Sequence, residues 1–546
     1  MTPGFMTRGR LRFAVIIMAA TFSAPAKGDD LLPPNRPIPE VIDHYIDLKL
    51  KNEKIAPAPQ ADDATFVRRL YLDLAGRIPT TFEARQFIES TDPMKRTKLI
   101  GELVASPEFV RYNATEFDVM LRNDNPTGGS VRGYLLAAFK ENRPWDQIFR
   151  ELMGVSETAD PTKPQQYLTN RLKDRDGLTR DVSSVFFGLN VTCAQCHRHP
   201  YVKTLTQDYY FGMREFFATS FEIQGHLFDR KYVKPSEFKS KSGTMAPVKM
   251  MFLNGKSAEN DGEKVADLSK AADEESKAIE QLAKTFDIKK SNLPVKPKFI
   301  SRVKLVEMAL DAENRDRFAR NMVNRLWYRF YGRGLVMRPD QVHVANPPSH
   351  PELLEWLTRD FLAHKYDLKH LIAGLVASNA YSRSSQWHDD SPPATDLFAV
   401  APIRPLTPMQ WGNSFYLVNN PSRIGQEKVY EQREKLVAGL ENNGVSGYIE
   451  YPRDDMPIPA SETLRLSNDS EFQKRIGGQM IPFLKKSKDR KEQIAESIWA
   501  VYSRPPIASE YDLFDSYLER RKDRPDLGLQ QMLWTLLNSA EFRFNH

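Results

Sequence analysis

Along most of the chain, apolar residues recur every third or fourth position, the rhythm of helices that bury one face. Phe66, Val67, Leu70, Tyr71 and Leu74 set it early, and Gly76 and Pro79 break it. The same spacing predicts helices over 81–90, 94–105, 107–122 and 145–153. A second helical block runs from 299 to 388, where Phe318, Met322, Val323, Leu326, Trp327 and Phe330 share one face. Within it, Ser349 and Glu352 read as a capping box that opens a helix from Leu353 to Ala363. A third block runs from Arg404 to the end.

Residues 228–298 break the pattern with long polar runs and few aromatics. Val248 to Leu253 suits a strand and 264–286 a solvated helix, but the segment has too little apolar surface for a large core of its own. The expected fold is therefore mainly α and multi-helical, in two to three helical blocks with a polar insertion containing minor β. The expected division is a leader at 1–26, a first domain at 38–227, the insertion at 228–298 and a companion domain at 299–546.

An internal echo links the two ends. Arg77-Ile-Pro79, Glu83, Phe87 and then Ser106-Pro-Glu108-Phe109 reappear as Arg504-Pro-Pro506, Glu510, Phe514 and then Ser539-Ala-Glu541-Phe542. Leu375-Val-Ala-Ser378-Asn-Ala-Tyr381 is a weaker third copy. A proline turn followed by two packed helices accounts for it, and the copies lie too far apart for a solenoid.

Composition narrows the class. A chain of 546 residues exceeds a single core, and 41% hydrophobic with 27% charged residues is a folded rather than a disordered composition. The net charge of +6 is spread over interleaved acids and bases, which leaves no nucleic-acid footprint. Arg8, Arg10 and Arg12, the apolar run Phe13 to Ala20 and the small-residue site Ala24-Pro25-Ala26 read as a secretion leader. Export to the periplasm or cell envelope is expected, with no transmembrane span beyond the leader.

Such a protein with only two cysteines has no disulfide framework, yet both fall in Cys193-Ala-Gln-Cys196-His197. This C-x-x-C-H spacing is that of c-type haem attachment: two thiols on one turn each reach a porphyrin vinyl group, and the next imidazole reaches the iron. Two other chemistries suit it, a thiol–disulfide pair and a metal site using both sulfurs with His197 or His199. For the sixth iron position Met213 is the nearest sulfur, although Tyr209, Tyr210, Met213, Phe216 and Phe217 also form an ordinary core face. His226 is the runner-up, and an open position is the third option. Residues 181–188 and 209–211 are expected to shelter the porphyrin, with Arg180, Asn190, Tyr201 and Lys203 as candidate polar contacts.

Residues 66–79, 181–188 and 193–200 resemble the planctomycete-type cytochrome domain of unknown function, PSCyt. Arg317 to Trp327, Tyr331 to Val336, Asn346 to Leu354 and Leu537 to His546 resemble its companion, PSD. Many relatives carry a tryptophan where this chain has Leu205, and Ser301-Arg-Val-Lys304 replaces the usual Asp-x-Arg start of the companion. The resemblance implies a large exported protein and brings no agreed reaction, so enzyme status stays open. His350, Asp73 and Asp340 are expected to pack or cap. The leading expectation is an exported haem c protein for electron transfer or small redox chemistry, meeting a redox partner protein or an envelope component. The alternative is a non-catalytic helical scaffold that binds envelope partners or polysaccharide, with Cys193 and Cys196 as a disulfide or metal staple.

Overall fold

The computed structural model describes residues 31–546 apart from 124–128, 156–162, 241–242, 290–293, 390 and 422–469. The expected leader lies outside the described residues. The first block is α1 (Ile38–Asn52), α2 (Asp63–Ala75), α3 (Thr81–Glu89), α4 (Lys95–Ala105), α5 (Pro107–Arg122), α6 (Arg132–Lys140), α7 (Trp145–Leu152), α8 (Gln166–Thr169), α9 (Arg175–Phe187) and α10 (Gln207–Glu215). The four predicted helices thus appear within a residue or so of their expected ends.

The reasons are local. Asp62 and Thr80 cap α2 and α3 through their side chains, and Ser106 caps α5 with Pro107 at its first position. Gly76 ends α2 at φ +64°, and a Cβ there would stand 2.4 Å from the Tyr112 ring of α5. Only glycine meets both demands.

The polar insertion follows the hairpin β1 (Ser220–Ile223) with β2 (His226–Asp229), of which only Phe228 and Asp229 fall within it. It holds the short pair Glu237–Lys239 with Met245–Pro247 and the helix α11 (Leu268–Thr285). The expected strand shrinks to Met250–Met251, paired with Ser257–Ala258. Only Ala272 of α11 is buried, which agrees with a solvated helix.

With α16 (Pro408–Asn419) opening the third block, the second comprises α12 (Ser301–Ala309), α13 (Arg315–Tyr331), α14 (Pro351–Ala363) and α15 (Leu368–Val376). It does not build a separate core. Phe318 of α13 packs against Trp145 and Phe149 of α7, and Trp145 in turn stacks on Phe186 of α9. One hydrophobic core therefore runs from Ile38 to Ala399 across both blocks. A smaller core joins Leu72 and Ile78 to the closing helices Arg490–Tyr502, Ala508–Arg520 and Pro525–Leu537.

One local expectation fails. No side chain caps α14: His350 occupies the position before it, and Ser349 Oγ lies 3.0 Å from His350 Nδ1 instead of bonding the helix. Pro351 at the first helical position has no N–H, so the start needs one donor fewer satisfied. Burial, with Lys49 nearby, pushes His350 down to about 3, so it packs as a neutral ring. Asp73 is a buried tie, accepting from Arg404, Tyr381 and Asn545.

The echoed motifs are the same device built twice. Arg77 donates through Nε and Nη2 to both oxygens of Glu108, through Nη1 and Nη2 to both of Glu83, and through Nη1 to the Ile78 carbonyl. Arg504 makes the matching set to Glu541, Glu510 and the Pro505 carbonyl, atom for atom. The serine caps match as well: Ser106 Oγ accepts from Phe109 N and Ser539 Oγ from Phe542 N, while Ser378 repeats this with Tyr381 N. In each of the first two copies a planar guanidinium ties a proline turn to two helices.

Candidate functional site

The cysteine turn sits where the two blocks meet. Helix α9 ends at Gly188, φ +65°, where a Cβ would stand 2.7 Å from Asn321 Oδ1 and 3.0 Å from the Pro339 carbonyl. Side chains of α13 take up the last carbonyls of α9: Asn321 Nδ2 donates to Val185 O and Arg325 Nη2 to Ser184 O. Leu189 then bridges to Gln341, while Val342 N donates to Gly188 O and Asn190 N to Asp340 O, both at 2.8 Å. The companion block thus fixes the exit of α9. Asn190 Oδ1 accepts from Thr192 N at 3.0 Å, an Asx turn that starts the 3-10 turn Thr192–Gln195.

This turn presents Cys193, Cys196 and His197 outward, with both thiols free and exposed, while Ala194 is buried beneath them. Gln207 Nε2, from α10, holds the Gln195 carbonyl at 3.1 Å. His197 Nδ1 stands 2.7 Å from the Arg198 carbonyl. A carbonyl only accepts, so Nδ1 carries the ring proton and the Nε2 lone pair is unspent.

Behind the turn lies a cluster that sequence spacing did not reveal. His199 is buried, and its Nδ1 accepts from the backbone N–H groups of Tyr201 and Val202 at 3.3 and 3.1 Å. His343, from the companion block, has its ring centre 5.7 Å from that of His199 and stacks on Tyr201 at 6.3 Å. Burial holds both imidazoles below the usual histidine value, with His197 adding to this at His199 and His199 and Arg317 adding to it at His343. His343 Nδ1 is buried and has no hydrogen-bond partner. Its signal was available in Asp340-Gln-Val-His343, just ahead of the Asn346-Pro-Pro-Ser-His350 run, but nothing local ties it to the cysteines.

Other candidates fall elsewhere. Met213 is fully buried in the main core, so its sulfur is enclosed by packing. His226 lies in β2, its ring against Phe286. The apolar shell expected of 181–188 is a correction: Val182, Val185, Phe186 and Phe187 are completely buried in the protein's own core, so they do not line the turn. Arg180 pairs with Asp181, and Tyr201 is 69% exposed. Among the described residues, no group of three or more metal-type ligands forms at Cys193 and Cys196.

A cavity of about 890 Å³ opens apart from the turn, between α5, α13 and the segment 385–407. Tyr112, Trp387, Arg329 and Arg333 are among the residues that line it.

Residues 41–222 match the family described as PSCyt2, protein of unknown function (DUF1549), and 301–539 match PSD1, protein of unknown function (DUF1553). The chain joins a PSCyt2 domain to a PSD1 domain. The cysteine turn lies inside the PSCyt2 match, whereas Asp340, Gln341 and His343 belong to PSD1. In this pair the second domain therefore braces the motif of the first. Comparison with curated proteins and with solved structures returned no match. Among the described residues no helix is long and apolar enough to cross a membrane.

Proposed function

We propose that this PSCyt2–PSD1 chain is an exported c-type haem protein of the cell envelope, serving electron transfer or small redox chemistry with a redox partner protein or envelope component. One observation carries the reading. Two accessible thiols and an imidazole with a free Nε2 lone pair face out from a single braced turn, and the other ring nitrogen is held by a carbonyl. That second bond is what orients metal-ligating histidines.

Cys193 and Cys196 would hold the group and His197 Nε2 would meet its iron. The two thiols would hold it as thioethers, each S–H adding across one vinyl C=C with its hydrogen passing to the terminal carbon, so that nothing would be oxidised or released. Bound there, haem supplies a one-electron iron couple. The chain's own residues do the placing. The Arg198 carbonyl fixes the imidazole, Asn190 and Gln207 fix the turn, and Asp340 and Gln341 fix the exit of α9 before it. The turn is exposed, so the group would lie at the surface, where an electron partner can approach it. Met213 could serve as a sixth ligand only if α10 repacked, because its sulfur is sealed in the core.

The test is haem staining after denaturing electrophoresis of chain made with export and cytochrome c maturation. Wild type should stain, and Cys193→Ser/Cys196→Ser should not. An unstained wild type would remove the proposal.

A second reading, a binding scaffold, rests on the cavity, whose aromatic and guanidinium lining suits polar envelope polymers. Trp387→Ala should then weaken retention on envelope polysaccharide while leaving any haem stain unchanged.

A further inference from the structure

Far from the cysteines in sequence, three metal-type ligands converge at the turn between α14 and α15. Asp360, His364 and His370 each offer one ligand atom, and these lie within 4.8 Å of one another. Among the described residues no other such group of three occurs. His370 Nε2 is 2.9 Å from Asp360 Oδ2, and His364 Nδ1 is 3.2 Å from Asp360 Oδ1 while donating to the Asp360 carbonyl at 2.9 Å. The corners of a tetrahedron around an ion with bonds of ~2.0–2.1 Å are about 3.3 Å apart, so an ion could take the place of the hydrogen bonds that now join these groups.

The two imidazoles stack face to face with ring centres 3.8 Å apart, both over a single carboxylate whose side chain is only 3% exposed. A buried carboxylate on which two imidazoles converge offers a divalent cation one negative charge and two ring nitrogens.

The turn is also held rigidly. Lys365 and Tyr366 both take the left-handed conformation, at φ 52° and 59°, which non-glycine residues adopt at a cost. The Tyr366 carbonyl accepts from Trp145 N, and Asp367 Oδ1 caps α15 by accepting from Lys369 N and His370 N. The supporting shell thus fixes where both histidines start. The His364 and His370 side chains are 47% and 35% exposed, so an ion could enter from solvent.

We infer that Asp360, His364 and His370 form a site for a divalent first-row transition ion, with the remaining coordination positions open to water or an outside ligand. Two imidazoles and one carboxylate are a nitrogen–oxygen set suited to zinc, iron(II), cobalt or nickel rather than calcium. Each imidazole must present a ring nitrogen in its own plane, so one of the stacked rings turns about χ2 as the ion enters. The inference is independent of haem.

The test is titration of zinc into chelator-treated full-length protein by calorimetry, in wild type, His364→Ala, His370→Ala and Cys193→Ser/Cys196→Ser. Wild type and the cysteine variant should each bind one zinc at this site. Each histidine variant should lose roughly tenfold or more in affinity. Circular dichroism should show both histidine variants folded, and a conservative His370→Gln should weaken binding as well without disturbing the fold. The inference is overturned if no zinc binds, if binding vanishes with the cysteines, or if folded histidine variants bind as wild type does.

Discussion

The arginine clamps and the cysteine turn treat polar atoms in opposite ways. At Arg77 every guanidinium nitrogen has an acceptor inside the protein, and Glu83 and Glu108 each accept through both oxygens. At the cysteine turn two sulfurs and one ring nitrogen face outward, and none of the described residues takes them. Groups that answer one another hold the fold. Groups placed on a rigid turn and left unanswered are the ones free to take a ligand.

The comparison breaks most severely at Arg77, whose side chain is 1% exposed. Arg77→Ala strands two largely buried carboxylates and should cost about 3–5 kcal/mol in chemical denaturation. Arg504→Ala removes the same bonds, but this guanidinium is 23% exposed and water can replace some of them. A loss of about 1–3 kcal/mol is expected by the same measurement. Equal losses would mean that burial does not distinguish the copies.

Acid should act on the same pairs. Burial alone would raise Glu83 and Glu510, but Arg77 and Arg504 outweigh it and hold both carboxyls below their ordinary value of 4.5. Their folded-state values are depressed, so their stabilisation is complete above that ordinary value and is lost as pH falls through the lower folded value. Melting temperature should therefore drop below about pH 4.5, and the drop should be shallower in Arg77→Ala. The smallest effect on stability belongs to the cysteine turn: Cys193→Ser/Cys196→Ser should change it by less than ~0.5 kcal/mol, because both side chains are exposed.

The sequence was informative wherever chemistry is local. Helix spacing located α3, α4, α5 and α7, because side-chain period and capping residues act within a few positions. Cys193, Cys196 and His197 announce themselves by adjacency. The echo of Arg77 in Arg504 was also visible, including the six-residue step to Glu83 and Glu510, although its meaning as a clamp needed the distant Glu108 and Glu541. His343 was not legible beside His199, since only the docking of PSD1 on α9 brings it there. Nor was the pairing of His364 with His370, which depends on two left-handed residues between helices. The aromatics of α9 were misjudged for a related reason: spacing shows that a face is apolar but not whether protein or a cofactor covers it.

The central claim, that Cys193 and Cys196 carry haem, is tested most directly by the intact mass of mature chain under denaturing conditions after production in a cytochrome c-maturing host. The account predicts a mass higher than that of the bare mature polypeptide by one haem, carried by a peptide that contains both cysteines. A mass equal to the bare polypeptide would contradict it.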